Sequence, residues 1–490
     1  MIDNAFQTFL DHLAASKAPQ FKKGLEHWRK GIQTQLEQLA MLSFKRQRYA
    51  ECKQLYDAFL SLKKSVSTQH LINYSLCLKY LKQPKQQLEF LKKKTKLFPD
   101  SYQLWFALGN AQKANAQPLA AKESYARALA LNPKNIDLMY SSTGLSGFRM
   151  LSADSIEHLK SVLDDPKQPN KQKSLAAFIL GHKLIEDQQI EKGFSKICLA
   201  NQLHLQDHPL RLQFDNEHLT KLIEHFTRDF FNLWRDQLPL TNQSSNDQIF
   251  IIGMSRSGKT LIENILNLSA DIQPEQESMT LTRFVRRHLD NRPKANLSKF
   301  INNLNASHLA QLQQDYHHSF ASSSKVSSYT MPWNITDLGY VGLLNPEAKV
   351  IFITRDHLDL GLACFNKVYA IGNSYASELG ALGQQIALYE RLIQHWQCSL
   401  PNPCMTISYE ELVKSPSKCA QQLFQFCQLK SDLTLLNQKL EQATKISGNF
   451  SQSQDFLTKI TDKHIGISEQ FRPWLEPLIK SYHQCWQTFS

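Results

Sequence analysis

The chain has two halves that differ in the spacing of their apolar residues. From Met1 to about residue 240, apolar residues recur at helical spacing and strand-like alternation is nearly absent. This spacing places them on one face of a helix, which predicts an all-helical region. After the polar stretch TNQSSND at 241–247, short β-branched runs such as Ile249 to Ile252 and Lys349 to Thr354 alternate with helical segments. We therefore predict an α + α/β protein, with a helical-repeat domain at 1–240 and an α/β domain with a parallel sheet at 248–490.

The helical half contains one clear repeat and weaker ones around it. Between Ser101 and Pro133 the spacing is that of a tetratricopeptide unit, in which small residues let two antiparallel helices approach closely. The positions that carry this match are Trp105, Leu108, Gly109, Ala121, Tyr125, Ala128 and Pro133. A degenerate unit ends at Pro99, and a similar helical pair covers Leu175 to Leu205. Such an array is interpreted either as a plain scaffold or as a groove for a peptide or protein partner.

A phosphate-binding loop is predicted at Gly253 to Thr260, GMSRSGKT, between a buried strand and a helix. The backbone N–H groups of such a turn and the positive end of the helix favour an anion at one point. Arg256 and Lys259 add positive charge, while Ser257 and Thr260 add hydroxyl donors. The pattern G-x-x-x-x-G-K-T is typical of loops that bind nucleoside triphosphates. The sequence therefore predicts a site for a phosphorylated nucleotide.

A second candidate phosphate ligand is Arg355, which follows the strand Lys349 to Thr354. Ligands of parallel sheets bind beyond the carboxyl ends of the strands, and a guanidinium matches two phosphate oxygens at once. An alternative is that Arg355 forms a structural ion pair with Asp356 or Asp359. Asp356 is also placed where a triphosphatase would hold magnesium.

Composition narrows the class of protein but not the ligand. The net charge of +12 favours an anionic partner, and the absence of a basic tail or arm argues against nucleic acid. Nine cysteines without CxxC spacing indicate free thiols rather than a disulfide frame or a zinc site, so no metal is expected. The first residues indicate an amphipathic helix rather than a signal peptide, and no apolar run reaches the roughly 18 residues that a membrane span needs. We expect a soluble cytoplasmic protein without membrane insertion.

Ordered motifs across the second half make it similar to a known family. The blocks are GMSRSGKTL, Gln276-Glu277, the run Tyr329 to Asn334, Pro346 to Ala348, Arg355 to Asp359, Tyr389 with His395-Trp396, and Tyr409 to Leu412. In this order they resemble the sulfotransferases that carry an N-terminal tetratricopeptide array and are related to the protein-tyrosine sulfotransferases. The resemblance covers roughly Ser174 to Leu478. It implies a P-loop-type α/β sulfotransferase domain.

The resemblance also implies a sulfate donor, 3′-phosphoadenylyl sulfate (PAPS), and roles for single residues. The loop Arg256, Ser257, Gly258, Lys259 and Thr260 would hold the 5′-phosphosulfate, and Arg355 would hold the 3′-phosphate. Glu277 would act as general base, with its neighbour Glu275 as the alternative alignment. Lys259 is the second catalytic candidate, as a cation at the loop where the family has a threonine. The acceptor would be a hydroxyl, of a protein tyrosine, a sugar or a small alcohol.

Four positions depart from the family pattern. Ala363 stands where the family has a serine at the 3′-phosphate, Thr330 where it has a lysine, Gln454 where it has an arginine, and His357 where it has a proline. Each lost hydrogen bond to a charged phosphate is worth about 1.5–3 kcal/mol. Lys259, in place of the family's threonine, adds a charge. Three hypotheses therefore remain: an active sulfotransferase, an impaired member that serves as a binding or scaffold module, and a kinase or ATPase.

Overall fold

The structure, a computed structural model, divides into two compact units, one up to Gly147 and one from Phe148 onward. It describes residues 19–46, 48–62, 66–81, 83–115, 117–148, 151–235, 248–288, 297–320, 325–369, 372–430 and 462–488. The predicted linker at 241–247, the N-terminal segment up to residue 18 and Gln454 lie outside these residues. Within the described part, no helix has both the length and the apolarity needed to cross a bilayer.

The first unit is entirely helical in its described residues, which confirms the helical character predicted for this region. Its helices are α1 (Pro19–Lys45), α2 (Tyr49–Leu62), α3 (Thr68–Tyr80), α4 (Pro84–Leu97), α5 (Tyr102–Ala114), α6 (Pro118–Leu131) and α7 (Ile136–Ser146). Capping residues and prolines determine where several of these helices begin. Ser101 caps α5 by accepting from Leu104 N at 3.3 Å, and Asn135 caps α7 by accepting from Leu138 N at 3.0 Å. Proline occupies the first position of α4 and α6, where its missing N–H costs nothing.

The helix pair α5 and α6 contains the segment with the clear repeat spacing. A Cβ on Gly109 would lie 2.5 Å from the Tyr125 ring, so only glycine allows this approach. The Tyr125 hydroxyl donates to Asn110 Oδ1 at 2.7 Å, and the Ser124 hydroxyl donates to Gln112 Oε1 at 2.7 Å. The helices are thus joined by close packing and by satisfied polar groups.

The second unit begins with helices that pack directly on the α/β fold. They are α8 (Ala153–Asp164), α9 (Asn170–Glu186), α10 (Ile190–Asp207), α11 (Asn216–His225) and α12 (Arg228–Arg235). In α10, Phe194 packs against Phe365 and Phe471, and Asn201 Nδ2 donates to Phe365 O at 2.9 Å. The compact unit therefore starts near residue 148 instead of between 240 and 248. Helical periodicity reveals that a face is apolar, but it does not reveal which neighbour covers that face.

A five-stranded parallel sheet forms the centre of this unit, as predicted. The strands are β1 (Gln248–Ile252), β2 (Ile272–Gln276), β3 (Val326–Tyr329), β4 (Lys349–Thr354) and β5 (Cys404–Ser408), in the order β2-β3-β1-β4-β5. In the central pair, Ile249 is in register with Lys349 and Ile252 with Phe352. Successive residues of β1 point into different apolar clusters, Phe250 into one and Ile251 into the other. Both faces of the sheet are therefore covered, which requires the uninterrupted apolar strands seen in the sequence.

The remaining helices cover the two faces of the sheet. They are α13 (Lys259–Leu266), α14 (Thr280–His288), α15 (Leu297–Asn302), α16 (Ala306–Phe320), α17 (Asn334–Leu344), α18 (His357–Phe365), α19 (Leu379–Ser399), α20 (Tyr409–Lys414), α21 (Pro416–Cys427) and α22 (Glu476–Gln487). Short 3₁₀ helices lie at Ser374–Ser377, Asp462–His464 and Ile467–Trp474.

The pair α9 and α10 depends on two glycines that face each other. A Cβ on Gly181 would lie 2.9 Å from Gly193 O, and one on Gly193 would lie 2.7 Å from Gly181 O. We expect Gly181→Ala to destabilise this unit by about 1–3 kcal/mol, because the methyl group meets backbone that cannot rotate away. Chemical denaturation measures the change. Gly144→Ala is the control, since its Cβ would meet only Lys113 Nζ at 4.0 Å; equal effects of both substitutions would contradict the close approach.

A partly buried polar contact between α19 and α22 gives the unit a defined pH dependence. The Tyr482 hydroxyl donates a hydrogen bond to Glu390 Oε2 at 2.6 Å. Burial raises the pKa of Glu390 from 4.5 to about 7. A raised folded pKa contributes stability that is complete below pH 4.5 and is lost as the pH rises through about 7.

Glu390→Gln keeps an acceptor for Tyr482 but cannot ionise. We therefore expect the stability of this variant relative to the parent chain to increase between pH 4.5 and pH 8, by up to about 3 kcal/mol. Denaturation midpoints across this pH range provide the measurement. Parallel curves for the two proteins would show that Glu390 does not titrate in the folded state as described.

Candidate functional site

The loop between β1 and α13 occupies the carboxyl edge of the sheet, next to its central strands. Gly253 begins the loop where a Cβ would lie 2.6 Å from the Ile353 side chain. Gly258 ends the loop with φ +108°, a value in the left-handed region that favours glycine. Arg256 adopts φ +70°, which is uncommon for a residue with a side chain. The loop therefore has a specific, partly strained backbone.

Lys259 holds this loop together from inside. Its side chain is buried, and its Nζ donates to Gly253 O at 2.8 Å and to Met254 O at 2.9 Å. Burial lowers the pKa of Lys259 to about 8, although the nearby Glu277 carboxylate favours the charged form. Two of the three N–H donors of the ammonium group thus bind carbonyl oxygens of the loop. Lys259 is predicted as a cation at the loop. Its two hydrogen bonds give it a structural role as well.

Arg355 connects the end of β4 to the loop and to the C-terminal segment. Its Nη1 donates to Arg256 O at 2.9 Å and its Nη2 donates to His464 O at 2.8 Å. The guanidinium carbon lies 4.5 Å from the centroid of the Tyr409 ring, a cation–π contact. Arg355 is buried, so these contacts fix its orientation at the mouth of the loop.

The carboxylates beside Arg355 bind main-chain N–H groups, so the alternative of a structural ion pair does not describe this site. Asp356 Oδ1 accepts from Leu358 N at 3.0 Å and from Asp359 N at 2.9 Å, and so caps α18. Asp359 accepts from Gly466 N at 2.6 Å and from Ser468 N at 2.9 Å. Asp359 thereby attaches the segment around Gly466 to α18. In the described ranges there is also no group of three or more His, Cys, Asp or Glu side chains arranged to hold a metal ion.

Three buried donors around the loop have no hydrogen-bond partner among the described residues. They are Arg256 Nε, Ser257 Oγ and Arg355 Nε. Buried polar groups are almost always paired, and leaving one unpaired costs about 1–3 kcal/mol. A phosphate or sulfate group accepts several hydrogen bonds at once. The donor set therefore fits an anionic group seated at the loop.

The other residues of the predicted motifs differ in their exposure and contacts. Thr260 lies in the first turn of α13 and is exposed. Glu277 is exposed just beyond the end of β2, and its charge acts on Lys259. Thr330, at the end of β3, is buried, whereas Ala363 in α18 is half-buried. The helix with His395 and Trp396 is a packing element, since Trp396 is fully buried and donates to Ile335 O at 2.8 Å.

Sequence reasoning missed a second set of residues that contact the loop. The Tyr369 hydroxyl donates a hydrogen bond to Ser255 Oγ at 3.0 Å, and Cys364 Sγ donates one to Ser255 O at 3.3 Å. Lys367 Nζ lies 5.0 Å from the centroid of the Tyr369 ring. Burial raises the pKa of Cys364, while the charges of Arg256, Lys367 and Arg355 oppose that rise. Lys367 is thus a fourth cation at this edge; its place shortly after α18 was the only sequence signal.

Comparison with known proteins identifies the class of this fold. Residues 248–432 match the model of the sulfotransferase family. This segment is a sulfotransferase-family domain. An uncharacterized protein of Aquifex aeolicus (strain VF5) is 25% identical over 326 residues, which cover 63% of this chain and 41% of that protein. The match therefore spans less than half the length of this relative. In the sulfotransferase-family domain, the loop, Arg355 and Glu277 all lie on the carboxyl side of the sheet.

Ser257 offers a direct test of the unpaired donors. Because its hydroxyl has no partner, we expect Ser257→Ala to leave the ligand-free protein as stable as before or more stable, by up to about 1–3 kcal/mol. The matched control is Ser174→Ala, which removes a buried hydroxyl that donates to Ala200 O at 2.8 Å and should cost about 1 kcal/mol. Denaturation of both variants measures this; an equal loss for Ser257→Ala would mean that its hydroxyl is satisfied.

Proposed function

We propose that the protein transfers a sulfuryl group from PAPS to a hydroxyl acceptor. The observation that carries the proposal is the set of three unpaired buried donors, Arg256 Nε, Ser257 Oγ and Arg355 Nε, two of them in the loop and the third on a side chain bonded to the loop. The family match of residues 248–432 supports the same class of reaction. The charges of Lys259 and Lys367 add to an environment that favours an anion.

The proposed roles follow from position. Arg256, Ser257, Gly258, Lys259 and Thr260 would hold the 5′-phosphosulfate, with the N-terminus of α13 directed at it. Arg355 would hold the 3′-phosphate with its unpaired Nε. The donor would supply the sulfuryl group and leave as adenosine 3′,5′-bisphosphate. The cationic loop would stabilise the charge that grows on the leaving phosphate oxygen.

Glu277 would receive the proton that the acceptor hydroxyl loses as its oxygen bonds to sulfur. Its exposed position beyond β2 keeps it accessible to an acceptor from solvent, and its charge favours the protonated form of Lys259, which supports a role near the loop. A general base contributes about 10²–10⁴-fold to such a reaction. We extend the proposal to a protein tyrosine as one acceptor, brought by a peptide bound to the helical array, with sugars and small alcohols as the competing class.

A magnesium-dependent triphosphatase has less support in the geometry. Asp356, the carboxylate that such an enzyme would use, accepts two main-chain N–H groups as a helix cap.

Calorimetric titration with adenosine 3′,5′-bisphosphate, without magnesium, tests the proposed donor site. We expect binding, and we expect Ser257→Ala to weaken it by roughly 10- to 150-fold, since a hydrogen bond to a charged group is worth about 1.5–3 kcal/mol. Ser174→Ala, distant in sequence and bonded within the helical layer, should bind as the parent chain does. Binding of ATP that requires magnesium would point to the triphosphatase, and binding of neither nucleotide to the impaired member.

The same titration combined with turnover assays separates binding from catalysis. Glu277→Gln should retain the affinity for the bisphosphate while the rate of sulfate transfer falls by about 10²-fold or more. Glu275→Gln, two positions earlier in the chain, is the control. If Glu275→Gln abolishes transfer and Glu277→Gln does not, the base has been assigned to the wrong carboxylate.

A further inference from the structure

Two cysteines of the first unit contact each other inside its core. Cys52 lies in α2 and Cys77 in α3, and neither side chain is exposed. Cys77 Sγ lies 3.2 Å from Cys52 Sγ, and Cys52 Sγ lies 3.2 Å from Ala40 O in α1. Both thiols are free. Tyr56 and Phe59 complete the apolar surroundings of the pair.

This arrangement differs from that of the other thiols. Cys364 donates to Ser255 O and Cys404 to Asn402 O, so their partners are main-chain oxygens. Across the described ranges, Cys52 and Cys77 are the only two cysteines whose sulfur atoms contact each other. A disulfide has a sulfur–sulfur distance of about 2.05 Å, so the two atoms need to approach by only roughly 1 Å.

We propose that Cys52 and Cys77 form a redox modification site, at which a low-molecular-weight disulfide such as oxidised glutathione converts the two thiols into one intramolecular disulfide. The Cys52 thiolate attacks one sulfur of the oxidant, forming a mixed disulfide and releasing one glutathione thiolate. Cys77 then loses its proton to solvent and attacks the Cys52 sulfur, which releases the second glutathione. Two S–H bonds are lost, one S–S bond forms, and the oxidant is reduced to two thiols.

The packing around the pair controls when this reaction occurs. Burial raises the pKa of both thiols, and thiols react far more slowly than thiolates. The oxidant therefore gains access when α2 and α3 separate locally. Polar contacts oppose that separation: Asn73 Nδ2 donates to Tyr56 OH at 3.1 Å, and the Tyr74 hydroxyl donates to Asp57 Oδ1 at 2.8 Å. Both contacts join α2 to α3.

The disulfide would stabilise the unit in which it forms. It connects two helices across 25 positions of sequence, and a crosslink of this length removes freedom from the unfolded chain. We expect the unfolding midpoint of the first unit to rise by roughly 5 °C or more in the oxidised protein. This inference is independent of the proposed sulfate transfer.

The test uses the full chain, incubated to equilibrium in glutathione buffers from fully reduced to fully oxidised, at a urea concentration just below the first unfolding transition. Free thiols are then alkylated, and disulfide-linked peptides are mapped by mass spectrometry. The expected result is a Cys52–Cys77 linkage that appears with rising oxidised glutathione, raises the midpoint and disappears with dithiothreitol.

Two variants complete the design. Cys77→Ala should lose both the linkage and the gain in stability, while Cys427→Ala, which removes another buried thiol, should retain both. Mapping of the unchanged chain decides the matter even if Cys77→Ala fails to fold. The proposal is overturned if both thiols remain alkylatable in the most oxidising buffer, if they pair with other cysteines, or if the linked protein melts at a lower temperature.

Discussion

The Arg355 guanidinium is the contact on which the arrangement of the site depends. It joins the end of a central strand to the loop carbonyl of Arg256 and to the carbonyl of His464, more than one hundred positions later in the chain. A planar group with five donors can make both bonds and still direct one N–H elsewhere. Its remaining Nε is among the unpaired donors. The same side chain therefore joins three parts of the chain and retains one buried donor that has no partner among the described residues.

Sequence patterns predicted the elements that depend on local chemistry. The central strands are apolar on both faces because both faces are covered. The loop after β1 is marked by Gly253 and Gly258, which tight packing and a positive φ require. These features can be recognised from consecutive residues of the sequence. They were enough to predict the parallel sheet and a candidate site at its carboxyl edge.

Other features arise only when distant segments meet. Lys259 was predicted as a cation at the loop, but its side chain is oriented by hydrogen bonds to the carbonyls of Gly253 and Met254. Lys367 lies at the site because of its position beyond α18, and no motif singles it out. The boundary of the compact unit depends on the packing of Phe194 against Phe365, which helical spacing alone does not encode.

The contacts of Asp359 have a consequence for how much of the chain makes up a foldable piece. The family match ends at residue 432, yet Asp359 accepts from Gly466 and Ser468, and Phe471 fills a place beside Phe194. A chain cut at residue 432 would leave a buried carboxylate with no donors and an open apolar surface. The end of the sequence similarity is thus not the end of the folded unit, because the described residues 462–488 contribute to its core and to its polar contacts.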